Sequence, residues 1–206
     1  MRKFCLALTA LGNLTLVFAP VGAVKASSIG GNPPAHWDCP NGVTLHLGGG
    51  GGNRQMALDA ANRYNSWRAE QAQPGGNGTG RQAWPVITDV YYGAWDGIAR
   101  SNIPCWIDMD EVHRPGWAYA GYSQMSIRSN SGHTIGCGIT MNGALWGGGG
   151  FNDAYTMTQE LMHCMGLGHT FEDPGSVMSY HYQRIGLVYS DLSTMSHVLY
   201  PQGGHH

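Results

Sequence analysis

The sequence predicts an α+β domain, and three observations carry that prediction. Arg54 to Gln73 is rich in Ala, Arg, Gln and Glu, with apolar residues at helical spacing. Residues 86–141 break into short β-branched or aromatic runs separated by Gly, Pro, Asn or Ser. Helical patterning returns after residue 152. The resulting order is strand, helix, several strands, helix, helix, with no internal repeat and no linker that would divide the chain.

The elements follow from local chemistry. VTLHL (43–47) alternates and is flanked by glycine, which marks a strand. In the first helix Met56, Ala60, Tyr64 and Trp67 recur at helical spacing, Asn53 offers a cap, and Pro74-Gly75-Gly76 ends the run. Four strands are expected at Val86–Tyr92, Cys105–Met109, Trp117–Met125 and Thr134–Met141. A second helix is expected from Asn152 to Met165. A third is expected from Asp191 to Leu199, capped by Ser190 or Asp191 and followed by Pro201. The glycine runs at 48–52, 74–80 and 147–150 read as loops, and none is followed by the Lys-Ser/Thr of a phosphate-binding loop.

The N-terminus reads as an export signal. Arg2 and Lys3 precede an apolar run from Phe4 to Ala19, interrupted by Gly12, Asn13 and Thr15, and small residues allow cleavage after Ala23 or Ala26. The run is too short and interrupted for a membrane span of roughly 20 apolar residues; an uncleaved anchor is the competing reading. The expected organisation is a signal peptide at 1–26, a short N-terminal segment at 27–42, a domain at 43–201 and a tail at 202–206. Residues 27–206, roughly 180 of them, suffice for one domain with a core. The expected product is secreted, or periplasmic in a bacterium, monomeric and not membrane-bound after signal removal. Charged residues make up 12% of the chain and the net charge is −2, which does not suit a nucleic-acid partner. Of five cysteines, Cys5 leaves with the signal. Cys39, Cys105, Cys137 and Cys164 then predict two disulfides in one of three pairings. No Cys-x-x-Cys pair supports a thiolate zinc site.

The chemistry is concentrated in QELMHCMGLGH (159–169). Residues four apart share a helix face, so Gln159 and His163 can approach one metal ion together, with Glu160 beside them. Gly166 permits a sharp turn that would return His169 to the same ion. Three protein ligands and one water form the open arrangement of catalytic zinc.

This segment resembles the metzincin signature H-E-x-x-H-x-x-G-x-x-H at every defined position except the first. Ser176-Val177-Met178-Ser179-Tyr180 is similar to the Met-turn that follows it, with Met178 at the methionine position. Together with Ala57–Trp67, GWAYAGYS (116–123), IGCGITMN (135–142) and SDLSTMSHVLYP (190–201), the likeness to a matrixin-like catalytic domain covers roughly residues 40 to 201. His169-Thr170-Phe171 also resembles the pappalysin branch. The resemblance implies a mixed twisted sheet of about five strands, a long backing helix, an active-site helix and a C-terminal helix. It implies a zinc metalloendopeptidase acting on protein or peptide substrates, with zinc bound by His163, His169 and Gln159. Glu160 would be the general base, Tyr180 an oxyanion partner and Met178 the apolar floor.

Gln159 stands where the first histidine belongs, and its neutral amide oxygen is a weaker donor than imidazole. Three readings follow: Gln159 itself ligates, His181 substitutes for it, or the cleft binds peptides without cutting them. Asp38 or Cys39 could act as a latency ligand, although a disulfide is the favoured role for Cys39. Cys164 is expected to face the core, with Cys137 one candidate partner. Asp108, Asp110 and Glu111 are candidate calcium ligands, with a solvated strand end as the alternative. His36, His46, His113, His133 and His197 show no ligand spacing, and Asn77-Gly78-Thr79 is a glycosylation sequon.

Overall fold

Alternation in VTLHL becomes strand β2 (Val43–Leu47), with Val43, Leu45 and Leu47 buried and Thr44 and His46 on the other face. The computed structural model describes residues 36–48, 51–71, 84–92, 99, 101–116, 121–127, 133–143, 153–170, 173–179, 186, 191 and 194–195. Around β2 are β1 (His36–Trp37), α1 (Gly51–Gln71), β3 (Ile87–Tyr92), β4 (Trp106–Val112), β5 (Gly121–Ile127), β6 (His133–Asn142) and α2 (Asp153–Cys164).

The sheet is mixed. β3, β2, β4 and β6 are parallel neighbours in that order, and β5 runs antiparallel along β6. Two-residue β1 pairs with the start of β6; Thr134 pairs with both Trp37 and Ile127, so β1 and β5 lie on opposite sides of β6. Leu45 opposes Ile107, Ile107 opposes Cys137 and Met109 opposes Ile139, which aligns one apolar face across three strands. Both helices pack on the sheet and on each other, α1 against β2 and β3, α2 against β5 and β6.

The helices reach the sheet through small and sulfur-bearing side chains. Ala57, Ala60, Ala61 and Tyr64 form the fully buried stripe of α1 at spacing i, i+3, i+4, i+7, with Met56 and Trp67 partly buried at its margins. The C-terminal half of the same helix clamps the approach to β3. Tyr64 donates to Pro85 O at 2.7 Å, and Arg68 Nε donates to Trp84 O at 2.7 Å. The Asn65 side chain exchanges two hydrogen bonds with the backbone of Ile87, at 2.9 and 3.1 Å. Met157, Leu161, Met162 and Met165 carry the buried side of α2 and its exit.

Several boundaries differ from the sequence-based expectation. α1 starts at Gly51, inside a glycine run read as loop, and Asn53 is its third residue and not its cap. Glycine has no side chain with which to signal a helix start, so packing of the stripe decides how far the helix extends. β4 continues to Val112, beyond Met109, because pairing with β6 through Val112 and Asn142 overrides the poor strand propensity of Asp110 and Glu111. β1 lacked a recognisable pattern at two residues. Residues 117–120 of the third expected middle strand, and most of the expected helix at 191–199, lie outside the described residues.

Two disulfides join the elements. Cys39–Cys105, with Cα atoms 5.9 Å apart, ties the exit of β1 to the entry of β4. Cys137–Cys164, with Cα atoms 5.7 Å apart, ties β6 to the last residue of α2. This selects one of the three pairings. It also corrects the latency alternative for Cys39, whose sulfur is committed to Cys105. Both bonds suit an oxidising environment. Among the described residues no helix is long and apolar enough to cross a membrane.

Candidate metal centre

Helix α2 presents Gln159 and His163 one turn apart and then ends in a Schellman motif. Leu167 N donates to Met162 O at 3.1 Å and Gly166 N donates to His163 O at 2.9 Å. Gly166 has φ of 102°, the left-handed conformation that this cap requires of the residue after the last helical turn. Met162 and Leu167, the apolar pair that accompanies such a cap, are both fully buried. The motif reverses the chain and delivers His169 back to His163. Their Nε2 atoms are 3.0 Å apart, with ring centroids 4.4 Å apart and planes at 89°.

The ring of His163 is oriented through its other nitrogen, which lies 2.7 Å from Leu167 O. A carbonyl only accepts, so Nδ1 carries a proton, and in the neutral ring this leaves the lone pair on Nε2. This backbone carbonyl is the kind of partner that holds a metal-binding histidine in its ligating tautomer. Two nitrogens bound tetrahedrally to one zinc at about 2.0–2.1 Å would be about 3.3–3.4 Å apart. The observed 3.0 Å is within a few tenths of an ångström of that, so the pair fits a shared ion.

Gln159 is 5% exposed and donates through Nε2 to Ser179 O at 3.4 Å. Ser179 belongs to the turn containing Met178. That turn runs beside His169: Thr170 N donates to Met178 O at 3.0 Å, and Thr170 bridges Ser179. Met178 is completely buried. Ser176 anchors the turn from within. Its hydroxyl lies 2.9 and 2.8 Å from the two carboxylate oxygens of Asp191 and accepts Met178 N at 2.9 Å. Tyr180 and His181 lie outside the described residues. Among the described residues no group of three or more His, Cys, Asp and Glu side chains is arranged to hold a metal. The structure thus brings two imidazoles, His163 and His169, together, and places the Gln159 amide one helical turn before His163.

Glu160 is 6% exposed and faces β5. Ser123 Oγ donates a hydrogen bond to its Oε2 and is 3.0 Å from its backbone carbonyl. A Cβ at Gly121 would come within 2.7 Å of Glu160 Cγ. The end of α2 is held from two further sides, by the Cys137–Cys164 bond and by Trp37 Nε1 donating to Cys164 O at 2.8 Å. Near its middle, Arg63 of α1 reaches Thr158 Oγ1 at 3.5 Å and lies 4.9 Å from the Tyr155 ring centroid.

The remaining candidates separate by face. Alternation puts Asp108 and Asp110 on the side of β4 that carries His46 of β2, and Glu111 on the other. His46 Nδ1 contacts Asp108 Oδ1 and its ring stacks on Trp106, a pairing that sequence spacing alone did not suggest. Asp110 Oδ1 accepts Glu111 N at 3.0 Å. Burial raises the carboxyl pKa of Glu111; His113 opposes that rise and Asp110 adds to it. His36 and His133 meet edge to face at 4.7 Å, and His133 Nδ1 is 3.2 Å from Asp38 Oδ2.

No protein-family model and no curated protein matches the chain.

Proposed function

We propose that the protein is a secreted, zinc-dependent endopeptidase of the metzincin type. The observation that carries this reading is the convergence of His163 and His169 Nε2 atoms through a Schellman turn, with the tautomer of His163 set for ligation. His163, His169 and the Gln159 amide oxygen would hold the ion. The Nε2–Ser179 bond supports that role for Gln159, since a carbonyl partner for the amide NH2 leaves Oε1 as the donor. When bound, zinc would activate water and polarise the scissile carbonyl. Glu160 takes the proton of the attacking water and passes it to the leaving amine. Tyr180 donates to the developing oxyanion. Among the described residues β5 pairs with β6 alone, so its outer edge is the place where an extended peptide would add as a further strand.

A second reading has one specific observation in its favour. Gln159 is a neutral amide where an imidazole would bind more tightly, and a cleft with weak metal affinity would serve to bind peptides without cutting them. Two measurements separate the readings. Elemental analysis of the signal-free protein at neutral pH should give about one zinc per chain. Cleavage of casein or gelatin should be abolished by a chelator and by Glu160→Ala. Negligible zinc after loading and dialysis, or equal cleavage by the Glu160→Ala protein, would defeat the peptidase reading.

A further inference from the structure

We propose that Ser123 and Gly121 of β5 are positioning residues that hold the Glu160 carboxylate in its working rotamer. The proposal rests on the reading of Glu160 as general base. β5 and β6 pair Gly121 with Met141 and Ser123 with Ile139, both of which face the core beneath α2. Residues 121 and 123 therefore share the face that meets the helix. Ser123 Oγ contacts both Glu160 Oε2 and Glu160 O, and its single proton is shared between a carboxylate oxygen and the helix backbone. The carboxylate is thus tied to the turn of helix from which it springs.

Gly121 completes the restraint by leaving space. A Cβ there would lie 2.7 Å from Glu160 Cγ, 3.0 Å from Oε1 and 3.0 Å from Met141 Sδ. Any side chain at 121 would push the carboxylate out of its place. A glutamate has three side-chain torsions, and a base that wanders among rotamers spends little of its time within hydrogen-bond reach of the water. With Oε2 held by Ser123, Oε1 on the Gly121 side is the oxygen that accepts the proton. The strand proposed to receive the substrate is also the strand that sets the base, so the two are in register through one rigid element.

The test compares the zinc-loaded wild type with Ser123→Ala, Ser123→Thr, Gly121→Ala and Glu160→Gln, on a fluorogenic peptide. Ser123→Ala should lower kcat roughly 10- to 100-fold with KM changed by no more than about twofold and zinc content unchanged. Ser123→Thr, which keeps the hydroxyl, should recover most of the loss, and Gly121→Ala should lose at least as much as Ser123→Ala. Unchanged kcat in Ser123→Ala, beside an inactive Glu160→Gln, would overturn the positioning role while leaving the base intact. Wild type no better than Glu160→Gln would instead sink the peptidase reading itself. A readout without turnover separates the two: the isotope-edited infrared band of the Glu160 carboxylate, assigned by its absence in Glu160→Gln, should shift in Ser123→Ala. An unmoved band would overturn the contact whatever the activity.

Discussion

Replacing either disulfide by alanine pairs should separate fold stability from metal affinity. Cys137–Cys164 closes 27 residues and Cys39–Cys105 closes 66, and the two loops do not overlap. Loop-closure entropy then assigns about 3.5 kcal/mol to the shorter loop and about 4.3 kcal/mol to the longer one at 25 °C. Cys137 and Cys164 are fully buried, so the small cavities left by alanine add to the first figure and bring the two losses close together. For a domain of this size each kilocalorie moves the midpoint by about 2–4 °C, so both double variants should melt on the order of 10 °C below wild type. The consequences for the site should differ. Cys164 adjoins His163 and anchors the end of α2 to β6, whereas Cys39–Cys105 lies at the β1–β4 junction. Cys137→Ala/Cys164→Ala should weaken zinc binding about tenfold, in the range seen when a supporting partner is lost, and Cys39→Ala/Cys105→Ala should leave it near wild type. The assays are thermal unfolding by circular dichroism in chelator, and zinc competition against a chromophoric chelator at a temperature where every variant is folded. Wild-type melting of either pair would refute the loop-closure reasoning. Equal zinc affinities of the two variants would refute the claim that the second disulfide positions His163.

Three further outcomes are expected. Gln159→His should tighten zinc at least 10-fold, read by the same competition assay, because imidazole replaces a neutral amide oxygen; no gain would mean that another residue already completes the site. Ser176→Ala should lower stability by about 2–3 kcal/mol in denaturant unfolding, since it removes a hydroxyl from buried Asp191 and an acceptor from Met178 N; a loss within experimental error would show the turn to be held by other bonds. Glu111 has a raised pKa, so the folded state holds its proton longer than the unfolded one, and stability falls as pH rises from the unfolded pKa through the folded one. Glu111→Gln should therefore raise the melting midpoint, relative to wild type, more at pH 7 than at pH 4, and a difference that is flat with pH would contradict the burial of that carboxyl.

The first two expected helices and the long strands were legible because their patterns are local. VTLHL alternates over the whole of β2, and Ala60 and Tyr64 announce the buried stripe of α1. The glycine start of α1 and the acidic half of β4 were not legible, because packing and strand pairing outweigh propensity there. The ligand candidates on α2 were readable from their spacing, and Gly166 from its place after the helix. Ser123 and Gly121 carried only a parity signal: alternation puts them on one face of a strand, but nothing in the chain says that this face meets Glu160.

Sequence alone therefore determined the α+β class, the first two helices, the i, i+4 pair of Gln159 and His163, and the turn after them. Each depends on residues within a few positions of one another, where helix and strand geometry act directly. Tertiary structure alone decided the strand order, the choice of disulfide partners, the 3.0 Å approach of His163 and His169, and the seating of Glu160 beneath β5. The reason is physical: contacts between residues dozens of positions apart are selected by which apolar faces can be buried together, a property of the packed whole that no local window contains.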